Sequence, residues 1–369
     1  MSLFSANHQA FAQKKLIKKL FSNDADTGRS SSFLPLPVLG YSQETGIEFG
    51  ALSLYSFYTD RSDTITRASR LTGVATFTTK SQSNFQLKSD IWSPGNKYHY
   101  TSEVRYKNFP FNFYGIGNET FNANEDRITQ KLFKINAGVE KRIGKITYTG
   151  LYASYESYRF TDKAAAGIFT TDPLIVDRDG GQVLFFGISQ IIDNRNSNTY
   201  TTRGSYLKLS YSYAPDFFSN TDFDGGMFKA DLRAFKSLSK KAVIGINGLY
   251  QTIGNGSTPF YLLTQLGNDE MMRGYYTGRY RDENLLAMQA ELRLRLNPRL
   301  GFVGFAGTGT VYSSGNFRAT DLKPSLGGGF RYFFDVEKGL SIRMDYAVGE
   351  RRPGEERQKG FYLSLGESF

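Results

Sequence analysis

The chain has 369 residues and a formal net charge of +10, a length that fits two or three soluble domains of about 100 to 200 residues or one large barrel. Its 31 Phe and 24 Tyr stand beside a single Trp, 38 Gly and only 10 Pro, a balance unusual for a soluble protein. With no Cys and only His8 and His99, a disulfide scaffold, a thiol nucleophile and a Cys- or imidazole-rich metal site are all excluded, so no metal or cofactor is expected.

The mean hydropathy of -0.41 and the lack of a long apolar run exclude transmembrane helices, which need about 20 mostly apolar residues. Membrane strands need only about 9 to 11 alternately apolar residues, so a spanning barrel remains open to a hydrophilic chain. The basic residues are spread along alternating segments rather than gathered in a patch or on a helix, which argues against nucleic acid as a partner. A solvated surface or a basic channel interior accounts for the charge equally well.

Taken in chain order, residues 1–32 form an N-terminal extension. Met1 to Gln9 holds no apolar core for a secretory signal, although Ala10-Phe11-Ala12 resembles the end of a cleavage site. Over about residues 8–22 a short basic amphipathic helix is predicted: Leu16, Ile17, Leu20 and Phe21 share one face and Lys14, Lys15, Lys18 and Lys19 the other. Such a helix suits an anionic membrane surface or an acidic plug site; a frayed terminus is the plainer reading.

From Phe33 the period changes to two. Strands are predicted at 33–41, 46–59, 65–79, 82–92, 97–109, 127–141, 145–158 and 181–193. Eight more follow at 203–215, 225–238, 242–253, 285–297, 300–312, 322–334, 340–348 and 358–369. Leu292, Leu294 and Leu296 alternate with Glu291, Arg293 and Arg295; Ile342, Met344 and Tyr346 alternate with Arg343, Asp345 and Ala347. Alternation alone does not say whether the charged face meets outer water or a lumen. Connection lengths do: tight turns such as Arg142-Ile143-Gly144 and Ser239-Lys240-Lys241 alternate with long links at 110–126, 159–180 and 254–284, as in bacterial barrels with short periplasmic turns and long outer loops. The expected fold is all-β, a 16-stranded antiparallel transmembrane β-barrel over residues 33–369, preceded by the short amphipathic helix. The first strand is included partly because an even count is needed to bring both termini to the periplasmic side.

One segment carries more specific information. Residues 259–295 read PFYLLTQLGNDEMMRGYYTGRYRDENLLAMQAELRLR, with a Pro-Phe lead-in, a Leu-Gly, the core Met272-Arg273-Gly274-Tyr275, Gly278, and a following strand bearing an inward Glu291. This resembles the sixth-loop signature of the BamA/TamA superfamily of outer-membrane assembly factors and two-partner secretion transporters. Asp193-Asn194-Arg195 and Thr202-Arg203-Gly204-Ser205 resemble that family's turn before its ninth strand. The resemblance implies a bacterial outer-membrane barrel, not an enzyme, that inserts or translocates outer-membrane or secreted proteins. Its implied partners are outer-membrane lipids, unfolded outer-membrane protein clients and accessory periplasmic or lipoprotein subunits.

Independently of kinship, a guanidinium carried back into a lumen is a buried cation that needs a carboxylate on the wall, and Gly274 permits a close backbone approach or a positive φ. In relatives the loop Arg is held by an Asp on the thirteenth strand, in a Phe-x-Asp-x-Gly pattern. Here Phe305-Ala306-Gly307-Thr308-Gly309 places Gly307 where that Asp belongs. Either Glu291 takes Arg273 alone, the expected arrangement, or the loop is held differently; an exposed, unpartnered Arg273 is the third possibility.

The resemblance also implies a loosely paired lateral seam between first and last strands. Pro35 and Pro37 each remove a ladder donor and suit an edge, although residues 33–41 could instead be an extended linker. At the other end Phe361, Leu363, Leu365 and Phe369 alternate to a terminal aromatic, similar to the C-terminal signal of barrel proteins. Relatives carry periplasmic POTRA domains before the barrel, whereas some thirty residues precede Phe33 here. The expectation is a short, POTRA-less member or a barrel excised from a longer, for instance phospholipase-like, protein. Two rival functions remain: a passive pore or structural barrel, and a barrel enzyme built around His99, which lies on the face of Glu103 and Arg105 without any Gly-x-Ser-x-Gly elbow.

Overall fold

The computed structural model describes residues 29–42, 46–161, 164–218, 223–254 and 257–369. The expected helix carrying Leu16, Ile17, Leu20 and Phe21 lies outside these residues.

One antiparallel sheet of sixteen strands dominates. Its first eight strands are β1 (Ser32–Ser42), β2 (Gly46–Phe57), β3 (Ser69–Thr78), β4 (Ser83–Trp92), β5 (Tyr98–Phe113), β6 (Asp126–Arg142), β7 (Thr147–Thr161) and β8 (Gln182–Asp193). They are followed by β9 (Gly204–Ala214), β10 (Gly225–Ser237), β11 (Ala242–Gly254), β12 (Asn284–Arg295), β13 (Leu300–Tyr312), β14 (Lys323–Asp335), β15 (Leu340–Val348) and β16 (Lys359–Leu365). Each strand pairs with its sequence neighbours, a pure up-and-down meander. Within the long link between β11 and β12, Thr264–Gln265 pairs with Arg281–Asp282, pinching the base of the sixth outer loop.

The faces sort as a membrane wall requires. Leu292, Leu294, Phe302, Leu326 and Tyr346 are exposed on the outside, while Glu291, Arg293, Arg331, Arg343 and Asp345 are buried within. Water cannot be the outer solvent of so continuous a greasy surface, and lipid is the solvent that stabilises it. The strand interior of a soluble sandwich would show the reverse.

Three strand ends differ from the sequence expectation by four residues, the others by three or fewer. β3 begins at Ser69 rather than at 65, because the Asp63 carboxylate draws the preceding chain into a turn by accepting the N–H groups of Ile65 (2.6 Å), Thr66 (3.3 Å) and Gly95 (3.0 Å). β5 continues past Phe109 to Phe113, with Pro110 still in register opposite Thr129. β16 stops at Leu365 rather than at 369, because Gly366 takes a φ of +78° and leaves the ladder.

The first strand is a full member of the sheet: residues 32–42 pair with β2 over their whole length, so they are not an extended linker. β1 and β16 are the two ends of the sheet order, and no ladder joins them among the described residues. They meet through side chains, Leu34 and Leu36 sharing an apolar cluster with Ile342 and Leu365.

The anchored sixth loop and the seam

The loop between β11 and β12 folds back into the lumen. Its descent is set by local chemistry: the Asn268 Oδ1 accepts the N–H groups of Glu270 and Met271, both at 2.7 Å, closing a turn. Met272 follows at a φ of +55° and Gly274 at +103°. The left-handed Met272 costs of order 1 to 3 kcal/mol and persists only where surroundings over-determine it. They do: its side chain is fully buried in a cluster with Leu266, Met271, Tyr275, Tyr280 and Val311. Gly274 is required twice over, since a Cβ there would lie 2.9 Å from the Val348 backbone carbon and the φ itself disfavours any L side chain.

Between these two residues Arg273 reaches the wall. Its guanidinium is paired with Glu291 on β12 and, at 2.5 Å, with Asp345 on β15, and it lies over the Phe305 ring, 3.5 Å from the centroid. All three ionised residues are 0% exposed. The set extends outward in alternating sign: Arg293 to Glu291 at 3.0 Å, Arg331 to Asp345 at 2.5 Å and to Glu367 at 2.9 Å, and Arg343 to Asp269 at 2.8 Å. Arg273, Arg293, Arg331 and Arg343 thus face Glu291, Asp345, Glu367 and Asp269, four cations against four anions. That balance is what makes burial tolerable, because an unpaired ion in this environment costs several kcal/mol.

The expectation that Glu291 takes Arg273 alone is corrected: the clamp has two jaws. Gly307 supplies none of it. It sits on β13 opposite Gln289 and Ser325, and the carboxylate missing there is replaced in space by Asp345, two strands further round. The sequence placed Asp345 on the inward face but carried no sign of which guanidinium it meets. Tyr362 and Ser325, also not singled out, complete the anchorage: the Gly274 N–H donates to the Tyr362 hydroxyl at 2.9 Å and the Ser325 hydroxyl to the Arg273 carbonyl at 2.6 Å. Tyr275 donates to the Pro324 carbonyl at 2.5 Å and accepts the Glu350 N–H at 2.8 Å. Gly278, with a φ of +79°, lends its carbonyl to Arg281 at 3.0 Å.

At the seam, Pro35 and Pro37 point outward and share a parity, so their missing donors face the same edge. The ladder to β2 runs unbroken through both, opposite Ser53 and Ala51, which leaves that edge as the free one. Phe361 is outward on β16, 39% exposed. Phe369 is not part of this edge: beyond Gly366 the chain turns inward, and its buried ring packs on Phe235 with centroids 5.6 Å apart. Its carbonyl accepts from Arg293 at 2.9 Å, and Ser368 donates to Glu291 at 2.6 Å. The chain's last residues therefore brace the loop clamp from below.

His99 stands apart from all of this. Its Nδ1 is 2.6 Å from Glu140 and its Nε2 3.1 Å from Asp90, and the ring stacks on Trp92 at 3.9 Å. Both ring nitrogens are taken by carboxylates, an arrangement that fixes a wall and offers no free base.

A greasy cylinder with an ionised lumen and an outer loop clamped to its inner wall defines an outer-membrane β-barrel whose pore is occupied by its own chain. Residues 67–369 match the family model described as the Omp85 superfamily domain, and the chain belongs to that superfamily of outer-membrane protein-insertion and secretion transporters. Its members work with outer-membrane substrates and accessory partners, and the family is one of assembly and transport scaffolds, not of enzymes. Among solved structures, BamA from Haemophilus ducreyi lacking POTRA domains 1-3 is similar with a TM-score of 0.58 at 13% identity, over 97% of this chain and 77% of that one. CdiB from Acinetobacter baumannii gives 0.57 at 13% identity over 91% of this chain, and CdiB from Escherichia coli 0.58 at 9% over 91%. The chain spans 59% and 62% of those two CdiB chains. No curated protein matches by sequence.

Proposed function

We propose that this barrel inserts or exports polypeptide strands through the seam between β1 and β16, with the sixth loop as the internal brace that keeps the β12–β16 wall rigid while the β1 edge opens. The observation that carries the reading is the coexistence of a two-carboxylate clamp on Arg273 with a free, proline-bearing edge on β1. Main-chain hydrogen bonds at an exposed edge are a sequence-tolerant way to capture an incoming strand. An edge short of two donors holds its own partner weakly and can release it.

A passive pore is disfavoured by what fills the outer mouth. Phe113, Phe169, Phe223, Phe260 and Leu262 form one buried apolar cluster there, and an apolar plug opposes the passage of ions, which lose hydration on entering it. Depletion of the protein in its native cell, followed by a census of outer-membrane proteins, tests the proposal. Selective loss of other barrels or of exported proteins is the expected result. Loss of permeability with an unchanged protein census would replace the proposal with the pore. A second check uses the absence of native Cys: bridging Leu36→Cys to Leu365→Cys is expected to abolish activity reversibly, restored by reductant.

A further inference from the structure

The sixth loop fills only part of the lumen. Between it and the wall of β1 to β5 lies a cavity of about 720 Å³ whose lining runs from Leu36, Pro37 and Val38 on β1 to Phe361 and Leu363 on β16. Phe361 and Leu363 are also exposed on the outer surface, so the cavity reaches the bilayer through the gap where no ladder joins the two strands.

Its walls are of two kinds. Phe109, Phe111, Phe260 and Leu52 supply an apolar surface, and Arg105, Lys107 and Arg281 supply positive charge. None of the three is ion-paired among the described residues. Arg105 donates from Nε to the Asn84 side-chain carbonyl at 2.8 Å, and Arg281 to the Gly278 carbonyl. The Lys107 Nζ sits 3.9 Å from the centre of the Phe109 ring. Of the carboxylates at the cavity, Asp269 is already held by Arg343 and by the Ser364 hydroxyl, and Glu48 alone carries no ion pair among the described residues. The opposite wall neutralises each guanidinium with a carboxylate; here up to two positive charges are left without one. A partly desolvated cation without a counter-ion is costly and draws an anion.

We propose that this cavity is a binding site for one anionic, phosphate-bearing lipid of the surrounding membrane, its headgroup between Arg105, Lys107 and Arg281 and an acyl chain along the apolar lining toward the seam. Three features select that ligand. The cavity opens toward hydrocarbon at the seam; it pairs cations with an apolar trough; and Lys107 lies in the outer half of β5, toward the headgroup level. The chain's own lysine-rich segment around residues 14–19 has the same sign as the cavity and is a poor occupant. The site is independent of whether the barrel inserts or exports proteins.

The test uses the full chain in nanodiscs of phosphatidylcholine containing a trace of photoactivatable phosphatidylglycerol, with the same label on phosphatidylcholine as the comparison. Phosphatidylglycerol is expected to label peptides of β1, β5 and β16 several-fold more than phosphatidylcholine. The double variant Arg105→Gln, Lys107→Gln is expected to lose that excess while keeping the heat-dependent gel mobility of a folded barrel; Lys107→Gln alone serves if the double variant does not fold. Equal labelling by the two lipids, or an excess that survives the substitutions, overturns the proposal. So does full displacement by millimolar inorganic phosphate, which would assign the cations to a soluble anion.

Discussion

The two walls that flank the seam share one antiparallel sheet and have opposite chemistry. On β12 to β16 every buried guanidinium facing the loop is matched by a carboxylate, and the loop is tied to four strands through Glu291, Pro324 with Ser325, Asp345 and Tyr362. On β1 to β4 no such clamp exists: the inward pair Arg70 and Asp90, 2.9 Å apart, is about a third exposed on each side, and the edge strand carries two prolines. The difference teaches where motion can be placed cheaply. A buried network must break as a unit, whereas an edge with few donors and a solvated wall gives way residue by residue.

The sharpest way to break this contrast is to remove a cation from each wall. Arg273→Ala leaves Glu291 and Asp345 facing each other without their shared partner, an expected loss of about 3 to 5 kcal/mol in loop anchorage. The barrel itself is expected to assemble, with its outer strands and ladders unchanged, while the segment around residues 267–278 becomes cleavable by added protease and activity falls. Arg70→Ala, in the partly exposed pair, is expected to change stability by only about 0 to 1 kcal/mol. Equal effects of the two substitutions on protease protection would erase the distinction between the walls.

Splitting the clamp gives the next largest effect. Asp345→Asn removes a partner from both Arg273 and Arg331, and Glu291→Gln one from both Arg273 and Arg293. Each is expected to weaken loop protection less than Arg273→Ala, because one jaw remains. A neutral Asp345→Asn in the same proteolysis assay would mean that Glu291 holds the loop by itself after all. Gly274→Ala comes third: the strained φ and the 2.9 Å approach to Val348 put it at about 1 to 3 kcal/mol, read as faster hydrogen exchange in loop six with β1 to β4 unaffected.

A gain rather than a loss is expected at the other wall. Pro35→Ala with Pro37→Ala returns two donors to the free edge, each hydrogen bond contributing about 0.5 to 1.5 kcal/mol when satisfied. Slower hydrogen exchange along β1 and lower activity are the expected outcome. Unchanged exchange would indicate that the missing donors do not limit pairing at the seam.

Sequence periodicity carried most of the fold because a strand's two faces are a local property: alternation set Leu292 and Leu294 on one face and Glu291 and Arg293 on the other, and the connection lengths made the charged face the lumen. The loop signature around Arg273 was legible for a similar reason, since left-handed turns and tight approaches demand particular residues at fixed offsets. The site was legible only as far as its first member. Gly307 marked where a partner was absent, and nothing in the linear order connects residue 273 to residue 345.

What the chain alone determined, then, is the number of strands, their inward and outward faces, the sides on which the long links fall, and the buried guanidinium as a problem needing a solution. The tertiary structure decided the solution: Asp345 beside Glu291, the tail from Gly366 to Phe369 turned in beneath them, and the ends of the sheet meeting without a ladder. Alternation is set by successive peptide units and survives in any local window. The pairing of ions across strands depends on barrel curvature and on the path of a long loop, both of which exist only once the whole sheet has formed.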